Sequence, residues 1–150
     1  MREVRRKSLV PRTAKQIFEL IDDIEAYPQF LPWCNLARVE SRTADTVVAT
    51  LGVERGPLHT EFTTRNDLER YRRIGIELVS GPFTQLRGGW SITPIGAAGC
   101  EVALALQFEF RNALLRTALE AAFAQTVGSL LDAFVNRARE LPADAADPDT

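Results

Sequence analysis

Between Asn35 and Glu109 the chain is a succession of short segments rich in β-branched and aromatic residues, each closed by a brief run of turn residues. The segments fall near 35–43, 46–54, 58–67, 71–80, 84–94 and 99–110, and the connections are Ala44-Asp45, Arg55-Gly56-Pro57, Glu69-Arg70, Gly81-Pro82 and Gly96-Ala97-Ala98-Gly99. Connections this short join antiparallel neighbours and leave no room for crossover helices. Alternation assigns the faces. Leu58, Phe62 and Thr64 share one side of their strand, and Ile74, Ile76 and Leu78 share one side of the next. Leu86, Trp90 and Ile92 do the same around Gly88, and Val102, Leu104, Leu106, Phe108 and Phe110 form the longest apolar face. A meandering sheet with one greasy side must be covered by something.

The cover lies at the C-terminus. From Ala113 to Glu140, apolar residues recur at Leu115, Ala118, Leu119, Ala122, Phe123, Val127, Leu130, Leu131, Phe134 and Ala138, the spacing of one helical stripe. Asn112 suits the N-cap, Gly128 sits mid-helix, and Pro142 ends the element. At 1.5 Å per residue the helix is roughly 40 Å long. Before the meander, residues 2–10 read as a charged edge strand ended by Pro11, Thr13 as the cap of a helix over 14–22, and Ile24–Phe30 as a second short helix. Pro28 and Pro32 bracket a compact, aromatic-rich turn. The predicted architecture is α+β: a curved antiparallel sheet of about seven strands around one long helix, with two short helices after the first strand. One helix cannot fill so wide a sheet unless the two short helices plug the remaining end, so a cavity is expected.

With 150 residues the chain is expected to be one domain over 1–141, followed by an acidic flexible tail over 142–150 that carries Asp144, Asp147 and Asp149. No uninterrupted apolar run nears 18 residues, and the N-terminus is charged from Arg2 without an apolar h-region. A cytoplasmic location is therefore expected. The net charge of −2 gives no global basic field, and no DNA partner is expected. Cys34 and Cys100 stand alone and His59 is the only histidine, so no metal site is expected. His59 has Glu61 on its side of the strand but no nucleophile nearby in sequence, and no catalytic residue is assigned.

Four stretches carry a family resemblance: Tyr27-Pro28 through Phe30-Leu31-Pro32-Trp33-Cys34; Phe62-Thr63-Thr64-Arg65-Asn66; Gly81-Pro82-Phe83 with Leu86 and Trp90; and Phe108-Glu109-Phe110 leading to Ala133-Phe134-Val135-Asn136-Arg137-Ala138. In order and spacing over about residues 1–141 the chain resembles the START-like helix-grip superfamily, specifically its coenzyme Q-binding and ribosome-association-toxin (RatA-type) group. Ile92 departs from the pattern, standing where an aromatic is common after the tryptophan. The resemblance implies a non-catalytic protein that holds ubiquinone or a related isoprenoid lipid in support of respiration, with no required cofactor and a transient position at the inner-membrane surface. The alternative it implies is a toxin that binds the large ribosomal subunit and blocks subunit association. A polyketide cyclase/dehydrase-like enzyme is the weakest alternative, because the inward faces are poor in acids and bases.

The corresponding cavity and rim residues are Tyr27, Phe30, Leu31 and Trp33 as a lid, Phe62, Thr64, Leu78, Leu86, Trp90, Leu106 and Phe108 on the sheet, Phe83 at the mouth, and Phe123, Val127 and Leu131 on the helix. Thr64, Arg65 or Asn66 would orient a head group, while Gly88 and Gly89 would make either ligand space or a close approach of strands. For the ribosome the expected contacts are Arg2, Arg5, Arg6, Lys7, Arg70, Arg72 and Arg73, unless these simply protect an edge strand.

Overall fold

The computed structural model describes residues 1–142; residues 143–150, and with them Asp144, Asp147 and Asp149 of the expected tail, lie outside the described residues. Strand β1 (Arg2–Val10) leads to α1 (Ala14–Asp22) and a 3-10 helix (Ile24–Gln29), then to β2 (Cys34–Arg42), β3 (Thr46–Arg55), β4 (Leu58–Glu69), β5 (Arg73–Ser80), β6 (Phe83–Ile95), β7 (Gly99–Phe110) and α2 (Ala113–Arg139). The seven strands form one antiparallel sheet in the order β1-β7-β6-β5-β4-β3-β2. Every neighbour along the meander is thus a sequence neighbour except β1, which pairs with β7 from Arg2↔Phe108 to Val10↔Cys100. Strand β5 starts two residues later than the expected 71, because Arg70–Arg72 are used in the turn and Arg72 donates its N–H to the Glu69 carbonyl.

Local chemistry fixes the element ends. Thr13 accepts from the Gln16 N–H while the Gln16 side chain accepts from the Thr13 N–H, a complete capping box at α1. Asn112 accepts from the Leu115 N–H at 2.8 Å and starts α2. At the far end of α2, Arg12 donates to the Leu141 and Arg139 carbonyls, tying the helix terminus to the β1–α1 joint. By length and composition α2 is apolar enough to cross a membrane; here it is the core helix and packs principally on β1 and β7.

Two aromatic clusters hold α2 to the sheet. Phe123 meets Phe108, Phe83, Phe110 and Phe62 with ring centroids 4.7–5.9 Å apart. Phe134 meets Phe30, Tyr27 and Trp90 at 5.1–5.2 Å, edge to face. The two phenylalanines are eleven residues apart, about 16 Å along the axis. α2 makes far fewer contacts with β4 than with β1 and β7, so the wing formed by β3, β4 and β5 is only partly covered. Gly88 and Gly89 resolve one alternative left by the sequence. Their φ values are +146° and +155°, and a Cβ would collide with the Ala105 and Ile74 carbonyl oxygens of the adjacent strands. They serve close approach of backbones within the sheet.

Candidate functional site

The partly covered wing leaves a cavity between α2 and the sheet, bounded at its ends by Phe123 and by Phe134. Ile21, Ile24 and Tyr27 from the two short helices close the Phe134 end; Ala49, Leu51, Val53, Phe62, Ile74, Ile76, Leu86, Trp90 and Leu106 form the sheet wall. Thr126, Val127 and Leu130 line the α2 side. Atom-free space amounts to about 780 Å³ and runs out to solvent; the centre of a water molecule fits in about 90 Å³ of it. The site is a real hollow, but a narrow one. Trp33, Leu51, Asn66, Ile76 and Leu130 are half-buried and form its open side.

Polar atoms in the lining are few and mostly committed. The Tyr27 hydroxyl donates to the Ile21 carbonyl, and burial pushes its pKa far up, so it stays neutral. Thr126 donates to the Ala122 carbonyl at 2.8 Å, and Thr64 donates to Asn66 Oδ1 at 3.0 Å. No carboxylate, imidazole, thiol or cationic side chain is among the lining residues, so the wall offers binding by apolar burial rather than acid–base chemistry. His59 and Glu61 lie exposed on strand positions that alternate away from the cavity. Cys34 and Cys100 are buried, and burial raises both thiol pKa values, that of Cys100 to about 11.

Nine of the fifteen residues expected to line the cavity do so: Tyr27, Trp33, Phe62, Thr64, Leu86, Trp90, Leu106, Phe123 and Val127. The other six pack elsewhere, for separable reasons. Phe83 is not at a mouth; it stacks on Phe110 at 4.5 Å and, with fully buried Phe108, belongs to the aromatic cluster that blocks one end. Leu31 is buried in the core, and Phe30 lies between the Phe134 ring and the Arg137 guanidinium. Leu78 sits next to a register shift in the β4–β5 pairing and packs at the core's edge. Leu131 is one residue round the helix from Leu130 and therefore on a different face. Residues not anticipated include Ile21 and Ile24, which have the helical spacing of core, and Leu51, Ile74 and Ile76, which alternate as any inner strand face does.

The expected basic surface is divided. Arg5, Lys7 and Arg73 border a shallow trough on the outer face of the sheet, floored by Gly89, Ser91, Ala103 and Ala105. Arg2 and Arg6 alternate to the opposite side of β1, Arg6 reaching Gly128 of α2. Arg70 lies by the hairpin end, donating to the Ala44 carbonyl. Glu3 pairs with Arg5 at 2.7 Å and Glu69 with Arg73 at 3.9 Å, so the trough is bordered by acids as well.

A family model described as "Polyketide cyclase / dehydrase and lipid transport" matches residues 10–135. The chain belongs to this family. Within the polyketide cyclase/lipid transport family it is 37% identical over 141 residues to the ribosome association toxin RatA of Escherichia coli K12, covering 94% of this chain and 89% of that protein. It is 24% identical to the mitochondrial coenzyme Q-binding protein COQ10 homolog B of Xenopus laevis, covering 88% of this chain but 58% of that protein. Among solved structures, a START superfamily protein from Mycobacterium smegmatis superposes with a TM-score of 0.79 at 23% identity over 93% of this chain and 99% of that one. The ZhuI aromatase/cyclase from Streptomyces sp. R1128 gives 0.83 at 21% identity over 93% and 94%. These likenesses establish the START-like fold, and the fold accommodates both binding proteins and cyclases.

Proposed function

We propose that this protein associates with the large ribosomal subunit and hinders its joining to the small one, from a cytoplasmic location. The observation that carries the reading is the near full-length match, at 37% identity, to proteins named ribosome association toxin. That reverses the order in which the sequence alone ranked the two readings, because the coenzyme Q-binding relative is more distant and shares only part of its length. Contacts to ribosomal RNA would draw on exposed cations such as Lys7, Arg72 and Arg73, and would be salt-dependent.

The test is sedimentation of the protein with separated subunits under conditions that allow subunit joining. At about 50 mM salt it is expected to travel with the large subunit and reduce the joined particle, and to be released near 200 mM. Protein that remains at the top of the gradient at both salts, with joining unaffected, would refute it.

A second reading rests on a separate observation, the apolar hollow under α2. An uncharged lipid such as ubiquinone, or another isoprenoid, would be held there by burial against Leu51, Ile76, Leu106 and Val127. With so little space free beforehand, the half-buried residues of the open side would have to move apart to admit it. Extraction of the purified protein followed by mass spectrometry tests this; a lipid-free extract together with no uptake of added quinone would exclude it.

A further inference from the structure

One side chain in the cavity has hydrogen-bonding capacity that no described residue uses. The inner face of β4 runs Leu58, Thr60, Phe62, Thr64, Asn66 and Leu68. Asn66 interrupts an apolar neighbourhood: its partners across the sheet are Val47 on β3 and Ile76 on β5. A half-buried amide on such a face takes its hydrogen bonds from the protein, or from water or a guest at the cavity's open side. Its oxygen has one, from the buried Thr64 hydroxyl at 3.0 Å. Thr64 Oγ1 makes no other hydrogen bond among the described residues, so turning the amide over would strand the hydroxyl hydrogen. Thr64 therefore fixes which end of the amide is the oxygen. The nitrogen is left with no protein acceptor among the described residues. The β4–β5 pairing changes register between Thr63 and Thr64, a local irregularity of the kind that re-aims side chains beside binding sites.

We propose that Asn66, oriented by Thr64, recognises the head group of the cavity's guest by donating to a carbonyl oxygen, and that the guest is an uncharged lipid-like molecule. The inference rests on the cavity reading given above. Neutrality follows from the wall. No cationic side chain lines the hollow, and Arg65, the nearest cation along β4, belongs to an alternating outward position where it pairs with Asp67 and Glu77. An anionic head would be desolvated there without a counter-charge.

The chain's two tryptophans, Trp33 and Trp90, both line the cavity, so intrinsic fluorescence reports occupancy directly. Titration with 2-tridecanone, tridecane and tridecanoate at pH 8 separates head group from tail. The ketone is expected to bind roughly fivefold more tightly than the hydrocarbon, the scale of one neutral hydrogen bond, and the carboxylate more weakly than the ketone. Asn66→Leu, which restores the apolar pattern of the face, should still bind tridecane but lose the ketone's advantage. Thr64→Val should reduce that advantage without abolishing hydrocarbon binding. If Asn66→Leu keeps the ketone preference, or tridecanoate binds the original protein as tightly as the ketone, the inference is overturned while the cavity reading survives. If none of the three probes binds, the cavity reading fails and takes the inference with it.

Discussion

The Arg6 guanidinium of β1 lies directly over Gly128 of α2: a Cβ at position 128 would stand 3.0 Å from Arg6 Nη2. Arg6 is exposed and the obstructing atom is the far end of a flexible side chain, so it can move aside. Gly128→Ala should then stabilise the protein by about 0.5–1 kcal/mol through helix propensity. Urea unfolding measures it; a lower midpoint would mean that Arg6 is held in place more firmly than its exposure indicates.

Phe123 and Leu130 both face the cavity but differ in what surrounds them. Phe123 is 2% exposed and touches four other phenylalanine rings, whereas Leu130 is half-buried at the open side. Phe123→Ala is expected to cost about 3–5 kcal/mol, and Leu130→Ala about 1 kcal/mol or less while widening the hollow. Equal losses in urea unfolding would contradict the placement of the opening.

Gly88→Ala should be severely destabilising. Its φ of +146° disfavours a side chain, and the obstruction is the Ala105 carbonyl, backbone that the β6–β7 pairing holds in place. A loss above about 3 kcal/mol is expected from the strain and the broken ladder. A variant with an unchanged melting temperature would refute this packing.

Cys100 gives a pH signature. Its thiol titrates at about 11 in the folded protein against an ordinary 9.0, because burial opposes the thiolate. The fold thus favours the protonated form: the contribution is complete below pH 9 and is lost as pH rises towards 11, where the unfolded chain ionises and the folded one does not. Stability should fall through that window in the native chain and fall less in Cys100→Ala. At pH 8, neither buried thiol should react with a disulfide reagent until the protein is unfolded.

Much of the fold was legible in the sequence because it is dictated locally. Short connections enforce an antiparallel meander, Thr13 marks a helix start, and the stripe from Leu115 to Ala138 marks a helix with a buried face. The cavity was legible only in part. Alternation tells which side of a strand is buried, yet it cannot tell packed core from cavity wall. Phe108 has the same alternation as Leu106, and only the position of Phe123 along α2 decides that the first fills space while the second borders it. The basic residues illustrate the same limit. Arg5 and Arg6 are adjacent in sequence and were grouped as one surface, but strand alternation sends them to opposite faces. Asn66 is named from sequence only with Thr64 and Arg65 as a candidate to orient a head group; the orientation of its amide depends on the Thr64 hydroxyl, which only three-dimensional geometry supplies.

The pairing of β1 with β7 has a consequence for biogenesis. Val4 meets Leu106, about a hundred residues downstream, and among the described residues no other strand lies beside β1. While the polypeptide is being made, the middle hairpins can zip as they emerge, but the first strand must wait for the seventh. Arg2, Arg5, Arg6 and Lys7 keep that waiting segment soluble, and β1 can join the sheet only after β7 has been made.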